Sequence, residues 1–208
     1  MKVISFISQK GGCGKTTLAT NLSVIASLNG LKVGLIDVDP QGSASCWGDD
    51  REQEYPNVVA PQAHRLVKEI EGAEKQGFDL IIIDTPGELE KATYESASKS
   101  DLIIIPVQPS FLDIRTIGNT KKIIEDYAVN SFAILTRTSS NGIEEEGAED
   151  AIKEMGLNIS SSRIGDRIAF KRAFSAGLSV VEFEPEGKAS AEINILWQQV
   201  SNILGLTT

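Results

Sequence analysis

The stretch MKVISFISQKGGCGKTT (residues 1–17) decides the fold. An apolar, branched run (Val3, Ile4, Phe6, Ile7) leads straight into Lys10-Gly11-Gly12-Cys13-Gly14-Lys15-Thr16-Thr17, and an amphipathic helical pattern begins at once. Strand, glycine loop and helix N-terminus together make a cradle for phosphate. Glycines let backbone N–H groups converge on the anion, and the helix dipole favours its charge. Lys15 is placed to reach the terminal phosphates and the Thr16 hydroxyl to ligate Mg²⁺. A glycine-rich turn with incidental lysines is the competing reading. Three glycines, two lysines and paired threonines between a strand and a helix weigh against it. The usual phosphate-loop pattern wants a glycine at position 9, but Gln9 stands there, followed by a second lysine, Lys10.

Outward from this loop, short apolar runs alternate with helical patterns. Residues 2–8 read as a buried strand, and Leu18, Leu22, Ile25 and Leu28 recur at helical spacing before Gly30, a natural C-terminal stop. Strands are expected at Leu31–Ile36, Asp79–Ile83, Leu102–Val107, Ser131–Thr136 and Asn158–Ile164. Helices are expected at Gln62–Gln76, Leu89–Lys99, Ser110–Tyr127, Gly142–Met155, Asp166–Ala176 and Ala189–Leu204. Residues 44–61 read as a solvated connection with a short strand near Asn57–Ala60. Such alternation predicts an α/β fold, a mostly parallel sheet with helices on both faces, as one domain over residues 1–208.

At 208 residues the chain can bury a sizeable core. No run approaches the roughly 20 apolar residues that span a bilayer, and the chain opens directly on a strand, so no signal peptide is expected. Cys13 and Cys46 offer neither a disulfide framework nor a metal-ligand spacing, which predicts a reducing compartment. The net charge of −9 argues against a polyanionic partner, though it does not exclude a local basic patch.

In an open α/β sheet ligands sit at the carboxyl ends of the strands. Three strand ends here carry chemistry: the glycine loop, Asp37 with Asp39, and Asp84 of IIIDTPG (81–87). Each aspartate alone would pass as a turn former. Together with a lysine-bearing glycine loop they make a nucleotide–Mg²⁺ site, in which a carboxylate holds the metal or its waters.

KGGCGKTT, with its second lysine, resembles the deviant Walker A motif of the ParA/MinD superfamily of dimeric ATPases. DVDPQGS (37–43), DTPG (84–87) and PVQPSFLDI (106–114) follow in that family's order, and VVEFEPEGKASAEINIL (180–196) is similar to the tail of the short partition ATPases. The resemblance implies a deviant Walker P-loop NTPase that hydrolyses ATP with Mg²⁺. Phosphate binding falls to Lys10, Gly11, Gly12, Cys13, Gly14, Lys15, Thr16 and Thr17. Thr16, Asp37 and Asp84 form the metal site, and Asp39 positions the attacking water with Gln41 nearby. Lys10 reaches across a nucleotide-sandwiched homodimer, so Lys10, Lys15 and Asp39 are the catalytic set. Pro106, Asp113, Thr136 and Arg137 resemble the family's nucleotide-monitoring and base-contacting positions.

Between residues 163 and 172, Arg163, Arg167, Lys171 and Arg172 stand against one acid, Asp166. The offsets 163, 167 and 171 are expected to place three charges on one helix face. By resemblance, ATP-loaded dimers hold non-specific DNA through this cluster, with a solvated helix face as the plain alternative. The last helix has an apolar stripe (Ile193, Leu196, Trp197, Val200, Ile203, Leu204) but no Lys or Arg after Lys188, so core packing is expected rather than a membrane surface. Trp47 is likewise read as a packing residue, and His64 has no assigned role. Because the chain starts at its first strand, it resembles the short type without an N-terminal DNA-binding domain. The resemblance therefore implies a cytoplasmic, nucleoid-associated partition ATPase, with a centromere-binding or cargo adaptor protein that stimulates hydrolysis. A protein cargo, or a metabolic P-loop ligase, is the alternative reading.

Overall fold

The computed structural model describes residues 1–206 apart from Leu89, Ser140 and Asn141. Strand β1 (Lys2–Phe6) runs through the glycine loop into α1 (Lys15–Leu28). There follow β2 (Val33–Asp37), α2 (Ser43–Asp49), β3 (Asn57–Val59), α3 (Leu66–Lys75), β4 (Leu80–Asp84) and α4 (Lys91–Lys99). The second half contains β5 (Leu102–Val107), α5 (Phe111–Tyr127), β6 (Asn130–Thr138), α6 (Ile143–Glu154), β7 (Ile164–Gly165), α7 (Ile168–Ser175), α8 (Val180–Phe183) and α9 (Lys188–Leu204). The seven strands form one sheet in the order β3-β2-β4-β1-β5-β6-β7. Every pairing is parallel, which goes beyond the mostly parallel expectation.

Successive strand residues project to opposite faces, and both faces are covered. Ile82 and Ile104 pack with α1, α7 and α9, whereas Ile81, Ile83, Ile103 and Ile105 pack with α3, α5 and α6. The register that results places Phe6 and Asp37 each opposite Asp84, so three strands finish at one level.

Several expected elements are corrected. The supposed connection at 44–61 contains α2, where Ala44 and Trp47 are buried. One apolar pair on a seven-residue helix gives no periodic signal. The helix expected from Gln62 begins at Leu66, after a 3₁₀ turn at Ala63–Arg65. The first residue expected for α4, Leu89, lies outside the described residues. The strand expected at 158–164 shrinks to Ile164–Gly165 plus a bridge between Ala133 and Ile159. Between them Ser160 bonds through its hydroxyl to Gln199 (2.6 Å) and accepts from the Ser162 N–H (3.0 Å). Such side-chain bonds compete with the ladder. The helix expected from Asp166 starts at Ile168, with Arg167 as its N-cap.

Helix α9 is a core helix: Ile193, Leu196, Trp197, Val200 and Leu204 are buried, while Ile203, expected on that stripe, is 39% exposed. Among the described residues no helix is long and apolar enough to cross a membrane. Because Leu196 is fully buried, Leu196→Ala is expected to lower the urea-unfolding free energy by about 3 kcal/mol. An exposed membrane-facing helix would show a change near zero.

Candidate functional site

The carboxyl edge of the sheet opens into a cavity of about 910 Å³. Its floor is the glycine loop, which needs glycine where the backbone is left-handed: φ is +75° at Gly12 and +102° at Gly14. The loop's peptide planes are fixed by distant side chains. Gln108 Nε2 donates to the Gly12 carbonyl (3.0 Å), Thr136 Oγ1 to the Cys13 carbonyl (2.7 Å), and Asn119 Nδ2 to Gln9 Oε1 (2.7 Å). The glycine missing at position 9 is thus replaced by a side chain that braces the loop against α5.

Lys15 is buried and donates to the carbonyls of Lys10 (3.1 Å) and Ser8 (3.4 Å). Its ammonium is held within the loop by neutral acceptors, which an incoming phosphate oxygen would outcompete. Lys10 pairs with Asp113 of α5 in its own chain. Its side chain is 41% exposed while Asp113 is buried, and Asp113 Oδ2 has no hydrogen-bond partner among the described residues.

Behind the loop stand the two strand-end carboxylates. Asp84 accepts from Thr16 Oγ1 through Oδ2 (2.6 Å), and its buried Oδ1 has no hydrogen-bond partner among the described residues. Asp37 accepts from the backbone N–H of Asp39 (3.0 Å) and Ser45 (2.9 Å). Burial pushes the Asp84 carboxyl up to about 7; the Thr16 bond and Lys15 oppose this, and the charges of Asp37 and Asp39 add to it. Asp37 is raised too, again mainly by burial, against the bonds from Ser45 and Asp39. An orphaned buried carboxylate oxygen beside a threonine hydroxyl fits a divalent cation. No group of three His, Cys, Asp or Glu that could hold a metal occurs among the described residues. A cation here would thus draw its other ligands from phosphate and water, as Mg²⁺ does.

The cavity walls gather Lys10, Gly11, Gly12, Gly14, Lys15, Thr16, Thr17, Asp39, Gln41, Thr136 and Arg137 from the expected set. Arg137 has φ +51° at a register shift of β6, the kind of bulge that re-aims a side chain. Cys13 is buried off the wall, with its carbonyl engaged by Thr136. Two residues expected at the nucleotide lie off the cavity wall. Pro106 is inside β5 opposite Ile134, and Asp113 is under Lys10; neither lines the cavity.

The basic cluster is corrected as well. Arg163 precedes β7 and pairs with Glu149 (2.7 Å), and Arg167 pairs with Glu192 (2.5 Å). Only Lys171 and Arg172 belong to α7, at adjacent positions that do not share a face. Arg167 and Lys171 instead line the cavity, together with Ile164, Gly165, Asp166, Phe170 and Phe174, which the motif reading missed. Strand-end logic applied to β7, as it was to β1, β2 and β4, is the signal that would have found Gly165 and Asp166.

A family model described as the CobQ/CobB/MinD/ParA nucleotide binding domain matches residues 4–180. The chain is 29% identical over 200 residues to the maintenance of carboxysome distribution protein A of Halothiobacillus neapolitanus, covering 92% of each. It is 27% identical to Protein ParA of Rhizobium radiobacter, covering 85% of this chain and 84% of that one. The apo McdA structure from Cyanothece has a TM-score of 0.79 at 21% identity, covering 98% of this chain and 99% of its own.

The ordinary carboxyl value is 3.8 and Asp84 in the fold sits near 7. Between these values the folded protein keeps a proton that the unfolded chain releases. Asp84 therefore supports nucleotide-free folding fully below about pH 4, and that support is lost as pH rises through about 7. Asp84→Asn is expected to flatten the decline in urea-unfolding free energy between pH 5 and pH 8 by about 3 kcal/mol. An unchanged pH profile would contradict the assignment.

Proposed function

The chain belongs to the CobQ/CobB/MinD/ParA nucleotide-binding family, and from that premise we propose that it is a cargo-positioning ATPase. ParA/MinD family proteins are ATPases that bind ATP, and they dimerise and work with partner proteins. The proposal goes further: ATP loading drives sandwich dimerisation and attachment to non-specific DNA, and an adaptor that stimulates hydrolysis releases the dimer. The observation that carries it is Lys10. A second lysine at the loop, 41% exposed and paired with an intrachain carboxylate, can exchange that partner when another copy meets this face.

The roles proposed for the cavity residues are those that the family resemblance implies. Lys15 would neutralise the terminal phosphates, Thr17 would contact the α-phosphate, and Thr16 with Asp37 and Asp84 would hold Mg²⁺ or its waters. The metal, when bound, would supply neutralisation of phosphate charge. Asp39, on the cavity lip, orients the attacking water, its Oδ1 also accepting the Gln41 N–H at 2.9 Å. Thr136 and Arg137, joined by Phe170, form the base side. Tying charge neutralisation by Lys10 to assembly makes nucleotide state a dimerisation switch.

A protein assembly is the favoured cargo, because the carboxysome distribution protein aligns over 92% of the chain. Partition of plasmid or chromosomal DNA is the second reading, supported by the alignment to Protein ParA. On either reading the dimer resides on the nucleoid.

The expected result for Lys15→Ala is loss of ATP-dependent retention on non-specific DNA and a fall of about 100-fold in ATPase rate. Lys10→Ala should leave ATP binding intact but remove ATP-dependent dimerisation in size-exclusion chromatography. Retention of dimerisation by Lys10→Ala would overturn the switch. Arg172, exposed and outside the cavity walls, tests the DNA contact separately. Arg172→Glu should weaken DNA retention roughly tenfold and reduce its salt dependence, with ATPase unchanged.

A further inference from the structure

We infer that Arg51 is a positioning residue that ties the Asp39 lip of the nucleotide cavity to its opposite wall, α7. This inference rests on the nucleotide-cavity reading above. The two walls are far apart in sequence. One consists of Asp39, Pro40, Gln41 and Ser43 leading into α2, and the other of Phe170 and Phe174 on α7. Helix α2 is anchored at its start by the Ser45 N–H on Asp37 and at its end by Arg51.

Arg51 is 2% exposed, and its guanidinium is spent almost wholly on four acceptors. Nη1 donates to the Gly177 carbonyl (2.9 Å) and to Glu182 Oε2 (3.1 Å). Nη2 donates to the Tyr55 carbonyl (3.2 Å) and to Glu182 Oε1 (3.0 Å). The guanidinium carbon lies 4.7 Å from the centre of the Trp47 ring, and Trp47 Nε1 donates to the Leu178 carbonyl (3.2 Å). Residues 47–55 are therefore bolted to the turn that closes α7. Backbone packing there is close: Gly177 has φ +65°, and a Cβ on it would meet the Asp50 carbonyl oxygen at 2.5 Å.

The same joint reaches the phosphate loop. Glu182 accepts the Ser179 N–H (2.8 Å), and the next N–H, that of Val180, donates to Asn21 Oδ1 (2.8 Å). Asn21 Nδ2 donates to the Thr17 carbonyl on the cavity floor (2.7 Å). Short helix α8 thus joins three walls of one cavity: the loop helix, the Asp39 lip and the base side. Only arginine suits this place. It combines a two-pronged bond to a carboxylate with a flat face that stacks on an indole, and lysine can supply neither geometry.

With the joint intact, a nucleotide that orders α7 also orders the Asp39 lip. Without it, the lip samples other positions and the competent cavity becomes a fraction of the population, which weakens apparent affinity in proportion. Removing only one partner would strand a buried charge, so the informative variant is the double replacement Arg51→Met with Glu182→Gln, which leaves no unpaired ion.

Hydrogen exchange with and without Mg-ADP tests the coupling. In the wild type, Mg-ADP is expected to slow exchange in both 43–56 and 168–183. In the double variant, 168–183 should still be protected, whereas the protection of 43–56 falls about 5-fold and the KM for ATP rises about 3- to 10-fold. Arg51→Lys should behave like the double variant rather than like the wild type. Ile152→Val, a core truncation on the other face of the sheet, should lower the melting temperature without changing either protection. Wild-type protection of 43–56 in the double variant overturns the inference, as does loss of that protection in Ile152→Val. Absence of any Mg-ADP effect in the wild type would instead overturn the nucleotide-cavity reading beneath it.

Discussion

A carboxylate sealed from water with one hydroxyl for company is the constraint on which this site depends. Asp84 ends a strand whose other residues, Leu80 to Ile83, are all apolar and buried, and the register aligns it with Phe6 on one side and Asp37 on the other. Burial disfavours its charge, and the nearby aspartates disfavour it further. Such an arrangement is costly unless a cation offsets it. Lys15 and the Thr16 hydroxyl are the near compensations within the chain, and both stand at the start of α1, directly after the glycine loop. The loop, the helix behind it and the two aspartate strands are thereby one electrostatic unit.

That unit is braced from outside its own sequence neighbourhood. Gln108, Asn119 and Thr136 hold the loop and Gln9, and Asp113 holds Lys10. Three of these four come from β5's end and α5. The first residues of α5, Phe111 and Leu112, are 78% and 68% exposed beside Asp113. Any event that draws Lys10 away from Asp113 leaves a buried, uncompensated carboxylate at this helix start. A change at the loop is therefore felt at the α5 surface through charge as well as contact.

Much of this was legible in the one-dimensional pattern. Branched apolar runs of five or six residues, each followed by a polar turn, specified parallel strands and placed Asp37, Asp39 and Asp84 at their carboxyl ends. Where the pattern misled, side chains had partners that sequence distance conceals. Arg163 and Arg167 read as free charges on a helix, yet Glu149 and Glu192 neutralise them. Ser160 and Ser162, through their side-chain bonds, broke the strand expected over residues 158–164. Trp47 gave α2 its burial with too few neighbours to register as a period.

By itself, then, the sequence determined the sheet, the phosphate loop and the carboxylates, because these follow from local spacing: two for strands, 3.6 for helices, glycine where the backbone must turn left-handed. Tertiary structure alone decided which lysine is sheltered and which is paired. It decided that Arg167 and Lys171 wall the cavity, and that Arg51 joins the Asp39 lip to α7. The pairings of Arg167 and Arg51 that fix these walls join residues 25 and 131 positions apart. No local propensity encodes them; they exist only once the parallel sheet has brought its strand ends to a common edge.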